Sequence, residues 1–199
     1  MLRRPYGPNA WWVDDVADPA EWAAGVLQST AIGDIIVDVL PAEDSIVVRC
    51  APGALDVVGE LLDQVRPRAA ESAATPIDIP VVYDGPDLAQ VAEHAGMSVD
   101  DVVDRHAAGD YRVAFCGFSP GFAYMNGLDP ALHVPRRAHP RTRVPAGSVA
   151  IAAHYAAVYP STSPGGWHLL GRTERVVWDT TAASPALLRP GTPVRFRPT

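Results

Sequence analysis

The sequence has 199 residues, a net charge of −7 and a hydrophobic content of 48%, and it is long enough to bury its own core. No apolar run approaches the roughly 20 residues of a membrane-spanning helix, and no apolar stretch follows the basic start, so we expect a cytoplasmic protein without a signal peptide and without a membrane partner. Every basic residue is arginine, which excludes a phosphate-binding lysine, a Schiff base and a biotinyl-lysine within this sequence.

Charge is distributed unevenly along the chain. Residues 1–104 carry 19 acidic and 5 basic side chains, whereas residues 105–199 carry 4 acidic and 11 basic ones, giving nets of −14 and +7. This division indicates two regions with different partners.

The first 75 residues predict a small α+β domain. A helix is predicted from Asp18-Pro19 to residue 27, because an aspartate cap precedes a proline at the first helical position. Strands are predicted at residues 35–40 and 45–49, and a second helix from Pro52-Gly53 onward carries apolar residues at helical spacing. Residues 66–76 are rich in alanine and proline without a pattern, which predicts a linker.

A strand at residues 77–83 and two short helices are predicted next. The helices cover residues 87–95 and 99–107, and Ser98 caps the second with Asp101 three residues on. A helix, a turn and a helix suggest a DNA-binding motif, but this pair is strongly acidic, whereas phosphate binding needs a positive face. We therefore expect no nucleic-acid partner.

The remaining residues predict a mostly β region. Short strands separated by proline and glycine are predicted at residues 112–115, 148–152, 156–159, 168–170, 175–178 and 193–197. Many short strands with regular turn signals indicate a closed barrel, since closure removes exposed edges.

Two Pro-Gly motifs stand out in this region. Ser119-Pro120-Gly121-Phe122 and Ser163-Pro164-Gly165-Gly166-Trp167 each predict a type II turn, because proline presets φ and glycine accepts the positive φ that follows. The amides of Gly165 and Gly166 could bind an anion, with Trp167 as a pocket wall. The alternative is a tight turn with a buried tryptophan. Phe122 and Tyr124 line a pocket or belong to an aromatic core.

Arginines cluster between the two motifs, at positions 136, 137, 141 and 143. Arg141 and Arg143 share one side of an extended segment, where they could clamp a carboxylate or a phosphate. The alternative for Arg136 and Arg137 is a solvated edge, or ion pairs with the acidic half of the protein or with a partner subunit.

The serines, histidines and cysteines do not form a recognisable nucleophile or metal motif. Neither Ser119 nor Ser163 lies in a nucleophile-elbow motif, and no histidine has metal-ligand spacing with a cysteine or a carboxylate, so we expect no metal site. Cys50 and Cys116 are expected to be buried free thiols, and a nucleophilic Cys116 is the less common alternative.

The region from residue 118 to residue 173 resembles one known family. The matching positions are Phe118, Pro120 to Phe122, Tyr124, Gly127 to Pro130, Pro135 to Ile151, Tyr159-Pro160, Ser163 to Trp167 and Leu169 to Thr173. This pattern is similar to the allophanate hydrolase subunit 1 family, which comprises the B-type subunits of 5-oxoprolinase and the KipI-like kinase inhibitors. The resemblance implies an α+β domain at residues 1–75 followed by a cyclophilin-like β-barrel domain at residues 76–199.

The resemblance also implies a function. The chain would be a non-autonomous subunit of a bacterial ATP-dependent 5-oxoprolinase, which hydrolyses the small-molecule lactam 5-oxoproline to glutamate with a subunit 2/C-type partner and an A-type subunit. ATP would be used by the complex rather than bound by this chain alone. The alternatives are a KipI-like inhibitor of a sensor histidine kinase and a carboxyltransferase-type subunit related to urea carboxylase and allophanate hydrolase.

Site residues follow from the motifs and the resemblance. His106 lies where the family commonly has histidine, and Arg143 and Arg172 lie near the Pro-Gly motifs, so these three are the predicted catalytic residues. The alternative for His106 and His168 is a capping or packing residue. The predicted substrate-binding residues are Pro120, Gly121, Phe122, Tyr124, Ser163, Gly165, Gly166, Trp167 and His168.

Overall fold

The computed structural model describes residues 2–68 and 75–199. The chain divides into two compact units, Met1–Ala73 and Ala74–Thr199. The middle of the predicted linker, residues 69–74, lies outside the described residues. None of the helices in the described part is long and apolar enough to cross a bilayer.

The first unit is a four-stranded antiparallel sheet with two helices packed on it. Its strands are β1 Leu2–Pro5, β2 Ala10–Asp14, β3 Ile36–Pro41 and β4 Ile46–Cys50, in the order β1-β2-β4-β3. Helix α1, Pro19–Leu27, packs against β3 and β4, and helix α2, Leu55–Leu61, packs against β2. Val26, Ile46, Val48 and Val58 form the centre of the core between sheet and helices.

Local signals position both helices. The Asp18 carboxylate accepts a hydrogen bond from the Glu21 amide at 3.0 Å, so the predicted cap of α1 is confirmed. Helix α2 begins at Leu55, three residues after Pro52, because Gly53 adopts a φ of +81° in the turn before it. The sequence pattern predicts neither β1 nor β2. For β1 the reason is that it is an exposed edge strand with no alternation of buried and exposed residues.

The second unit is built around a seven-stranded sheet that closes on itself. Its strands and those of a small second sheet are β5 Ile77–Val81, β6 Tyr111–Cys116, β7 Ala123–Asn126, β8 Arg141–Val144, β9 Ser148–Ala152, β10 Tyr155–Val158, β11 Ser163–Gly165, β12 His168–Arg172 and β13 Pro193–Pro198. The strand order in the large sheet is β12-β9-β10-β7-β6-β13-β5. A bridge between Val82, just after β5, and Arg172 of β12 joins the two edges through a pair of 2.9 Å backbone hydrogen bonds. The predicted α+β class and barrel are therefore confirmed.

Two helices follow β5 as predicted. Helix α3, Leu88–Ala95, ends at Gly96, whose φ of +66° is the left-handed conformation of a C-cap. Helix α4, Val99–Ala108, begins with a complete capping box, in which Ser98 and Asp101 each bind the other's backbone amide.

One strand prediction in this unit was wrong, and three strands were not predicted. Residues 175–178 form no strand, only an isolated bridge between Trp178 and Ala186. Strands β7, β8 and β11 were missed. The last two form a separate two-stranded sheet whose residues are mostly exposed or half-buried, so they lack the apolar alternation that identifies a strand.

Candidate functional site

The first Pro-Gly motif forms the predicted type II turn. Gly121 has a φ of +81°, and the Phe122 amide donates to the Ser119 carbonyl at 3.0 Å. A Cβ at Gly121 would also lie 2.6 Å from the Trp178 side chain. Glycine is therefore required here both for the positive φ and for its lack of a Cβ. The turn leaves Pro120 exposed and buries Phe122.

The second motif does not form the predicted turn. Residues Ser163–Gly165 are strand β11, paired antiparallel with β8, and Gly165 does not adopt a positive φ. Proline is tolerated on an edge strand, and glycine is needed at 165 because a Cβ there would overlap the Tyr159 hydroxyl. At Gly166 a Cβ would have room, with Pro140 Cγ at 3.6 Å, so packing alone does not require glycine there.

An aromatic cluster joins the two motifs. The Phe122 ring lies 5.1 Å from Tyr159 and 5.4 Å from Trp167, and the Tyr124 ring lies 5.5 Å from Trp167, all edge to face. Trp167 is buried, with 4% exposure, as a core residue. The structure therefore brings the aromatic members of the predicted substrate-binding set together.

A buried carboxylate that the sequence analysis missed holds the arginine segment in place. Asp87 is 2% exposed. Arg141 binds it through two hydrogen bonds of 2.9 and 2.8 Å, and Arg137 adds one of 2.6 Å. The Leu169 amide donates a fourth, at 2.7 Å. The predicted carboxylate clamp at Arg141 is thus filled by a residue of the same unit, and Arg137 lies in an ion pair rather than on a solvated edge.

The ionisation of Asp87 reflects its partners. Burial by itself raises the pKa of this carboxyl group, but the Arg141 hydrogen bond, the Leu169 amide and the two arginine charges together hold its pKa below the ordinary value. Asp87 is therefore a fixed anion. The sequence around the start of α3 contains no spacing signal that pairs Asp87 with arginines 50 and 54 residues away.

Several buried polar atoms around the two motifs have no hydrogen-bond partner among the described residues. They are Ser119 Oγ, Arg137 Nε, Ser163 Oγ and His168 Nδ1. His168 uses its other nitrogen, since Nε2 lies 3.0 Å from the Pro135 carbonyl, and burial lowers its pKa. A further unpaired atom in the described part of the chain, His106 Nε2, lies in the main barrel core. Buried polar groups are normally paired, so each of the four atoms around the motifs is available to a polar ligand or to water.

The predicted catalytic arginines occupy different surroundings. Arg143 is exposed on β8 and forms no ion pair with any described residue. Arg172 forms an exposed ion pair with Asp84, with its Nε 2.8 Å from the carboxylate, and borders a surface cavity together with Arg175. No hydrogen bond, ion pair or ring contact links Arg143, Arg172 and His106, all of which lie in the described part of the chain.

His106 lies inside helix α4 and is completely buried against the main barrel core, away from the aromatic cluster. Its Nδ1 lies 2.7 Å from the Tyr83 hydroxyl, and its ring lies 4.6 Å from that of Phe196. Burial lowers the pKa of His106 to about 3, which makes it a neutral core residue at physiological pH.

The buried His106 predicts a loss of stability in acid. The unfolded histidine binds a proton below about pH 6.5, whereas the folded one does so only near pH 3. The free energy of unfolding should therefore fall by about 1.4 kcal/mol per pH unit between these values. Urea denaturation at pH 6.5 and pH 5 checks this, with His106→Gln as control. Equal pH dependence in both proteins would contradict it.

Both cysteines are free, as predicted, but only Cys50 is buried. Cys116 is exposed, because β6 alternates its side chains between the core and the surface and Cys116 follows the buried Phe115. In the residues that the structure describes, no group of three or more histidine, cysteine, aspartate or glutamate side chains could hold a metal ion.

Comparisons with known proteins place these features in a family. The family model described as carboxyltransferase domain, subdomain C and D, matches residues 13–188. Two curated relatives, both named as the B-type subunit of 5-oxoprolinase, come from Escherichia coli O157:H7 and Haemophilus influenzae, and the chain is 50% and 44% identical to them over 133 and 123 residues. These alignments cover 65% and 60% of the chain, which spans 61% and 58% of the relatives' own lengths.

Solved structures agree with this match. The crystal structure of TTHA0988 is 34% identical, aligns with a TM-score of 0.81, and is matched over 100% of this chain and 41% of that one. The Kluyveromyces lactis urea amidolyase, at 18% identity and a TM-score of 0.72, is matched over 99% of this chain and 15% of that one and shows the shared fold alone. The chain therefore belongs to the carboxyltransferase domain, subdomain C and D, family, and its resemblance to the B-type subunits of 5-oxoprolinase is confirmed.

Proposed function

We propose that this chain is a subunit of an ATP-dependent 5-oxoprolinase. The observation that carries the proposal is the 50% identity over 133 residues to the Escherichia coli protein named as a B-type 5-oxoprolinase subunit. The overall reaction adds water to the lactam of 5-oxoproline, so that the ring C–N bond breaks, the nitrogen takes a proton, and glutamate is formed.

The region around the two motifs has polar groups that could bind a small polar substrate. Four buried polar atoms there lack partners among the described residues, and they comprise two hydroxyl oxygens, a guanidinium nitrogen and an imidazole nitrogen. 5-Oxoproline presents a carboxylate, a lactam N–H and a lactam carbonyl, and these groups suit such donors and acceptors.

Within this proposal Arg143 is the substrate carboxylate ligand. It is exposed and has no ion pair within the described residues, whereas Arg137 and Arg141 are already bound by Asp87. Its guanidinium can therefore bind a carboxylate bidentately without breaking an internal pair. The amide of Gly166 would face the anion that develops on the lactam carbonyl, which accounts for a glycine that packing alone does not require.

ATP is assigned to the complex rather than to this chain. A triphosphate needs several free cations, and two of the four clustered arginines are bound to one buried carboxylate. Subunits of the 2/C type and the A type would supply the phosphoryl chemistry. Arg172, already paired with Asp84 on the surface, would act at a contact with such a partner or with substrate.

The test is reconstitution of the complex with these two partner subunits. Glutamate release from 5-oxoproline should require ATP and all chains. Arg143→Ala should lower kcat/KM by about tenfold or more, the cost of losing a charged hydrogen bond. Arg189→Ala, which changes an exposed arginine in the loop before β13, should leave kcat/KM unchanged.

The negative results of this reconstitution lead to different conclusions. A stable complex that releases no glutamate would overturn the proposal, and two assays would then separate the alternatives. Lowered autophosphorylation of a sensor histidine kinase would favour an inhibitor, and carboxyl transfer from a biotin carrier would favour a carboxyltransferase. Normal activity of the Arg143→Ala complex would remove the assigned role of that arginine only.

A further inference from the structure

A small cavity lies within the first unit, between its sheet and its helices. It is lined by Arg3, Val13, Trp22, Ile46, Leu62 and Asp63 and has a volume of about 190 Å³. Arg3 and Val13 are paired across β1 and β2, so both side chains lie on the face of the sheet that the helices cover. Because α1 packs against β3 and β4, and α2 against β2, the sheet extends past the helices at the β1 edge.

The floor of this cavity is apolar. Val13, Ile46 and Leu62 are 4%, 1% and 5% exposed, and the Trp22 ring packs against the same core. A dry apolar cavity of about 150 Å³ is enough to bind benzene, so the floor has room for one ring or a branched aliphatic group. A water molecule there would find few hydrogen-bond partners, which favours an apolar occupant.

The mouth of the cavity is charged. Arg3 binds Asp63 through two parallel hydrogen bonds, Nη1 to Oδ1 at 2.7 Å and Nη2 to Oδ2 at 2.9 Å. This is the geometry in which a guanidinium recognises any carboxylate. The Asp63 side chain is 70% exposed and that of Arg3 is 33% exposed.

Replacing Asp63 by another carboxylate in the ion pair with Arg3 costs little free energy. Exposed ion pairs contribute about 0–1 kcal/mol, and Asp63 can return to water when it is released. Arg3 stays in place without it, because its guanidinium lies 5.9 Å from the centre of the Trp11 ring. The Asp63 carboxylate thus occupies the position that a ligand carboxylate would take.

We propose that this cavity is a binding site for a monocarboxylate with an apolar body of about one ring, an aromatic or branched aliphatic acid. The apolar body fills the floor formed by Val13, Ile46 and Leu62, and the carboxylate displaces Asp63 from Arg3. The site lies wholly in the first unit and is independent of the proposed lactam chemistry.

Calorimetric titration of the full chain with benzoate, compared with the neutral isostere benzamide, tests the site. Benzoate should bind at least about tenfold more tightly, the value of a charged hydrogen bond. Asp63→Asn should tighten benzoate binding several-fold and leave benzamide unchanged, because it removes the competing carboxylate. Arg3→Gln should abolish the preference for benzoate.

A substitution that fills the cavity tests whether the ligands bind there. Ile46→Phe should weaken both ligands, and the indole N–H signal of Trp22 should shift with benzoate in the unmodified protein. Should Ile46→Phe fail to fold, the surface changes at Arg3 and Asp63 still decide the question. Equal binding of both ligands without a response to Asp63→Asn, or no saturable binding of either one, would overturn the proposal.

Discussion

Replacing Asp87 with alanine is expected to lower the free energy of unfolding by about 3 kcal/mol, the lower end of the range for removing one partner of a buried ion pair. The change leaves two arginines without their counter-ion and the Leu169 amide without its acceptor. The lower end applies because the Arg137 and Arg141 side chains are still 26% and 23% exposed. Urea denaturation of the two proteins measures the difference.

A matched control lies three residues away. Asp84 also pairs with an arginine, but the Asp84 and Arg172 side chains are 47% and 59% exposed, so Asp84→Ala should cost less than about 1 kcal/mol. Similar losses in both variants would contradict the view that burial makes Asp87 important. Since the Asp87 pKa is lowered in the fold, its contribution is present at neutral pH and is lost as pH falls through that value.

Replacing Phe122 with alanine is expected to cost about 3–5 kcal/mol, as for other buried phenylalanines. Phe122 is 1% exposed, and its ring has edge contacts with Tyr124, Tyr159 and Trp167. The truncation would leave a cavity at the centre of the cluster that joins the two motifs. Thermal or urea unfolding, followed by far-ultraviolet circular dichroism, measures the loss.

The neighbouring Phe118 provides the control for this change. It belongs to the same loop but is 63% exposed, so Phe118→Ala should change the free energy of unfolding by about 0.5 kcal/mol or less. A comparable loss at both positions would mean that the aromatic content of the loop, rather than the buried cluster, stabilises this region.

Features that depend on a few neighbouring residues were predictable. The cap at Asp18, the capping box of Ser98 and Asp101, and the type II turn at Gly121 all appear as expected. In each case a side chain or a glycine satisfies a backbone requirement within three residues, so the signal is contained in the sequence.

The second Pro-Gly motif adopts a structure that its local turn preference does not predict. Its residues have the same turn preference as the first, yet Ser163–Gly165 pairs with β8 as a strand. The position of the Tyr159 hydroxyl beside Gly165, and the availability of an edge on β8, decided this outcome. Neither is encoded in the motif, because both depend on segments that meet only in the folded unit.

The same contrast between local preference and distant packing holds for the charged and titratable residues. The sequence by itself determined the family, the mixed α+β class, the barrel and the cluster of arginines suited to a carboxylate. Only the tertiary structure decided that Asp87 is the carboxylate bound by Arg137 and Arg141, that Arg143 has no ion pair within the described residues, and that His106 is buried. The physical reason is that backbone preferences act between neighbours in the chain, whereas burial and ion pairing depend on which distant segments pack together.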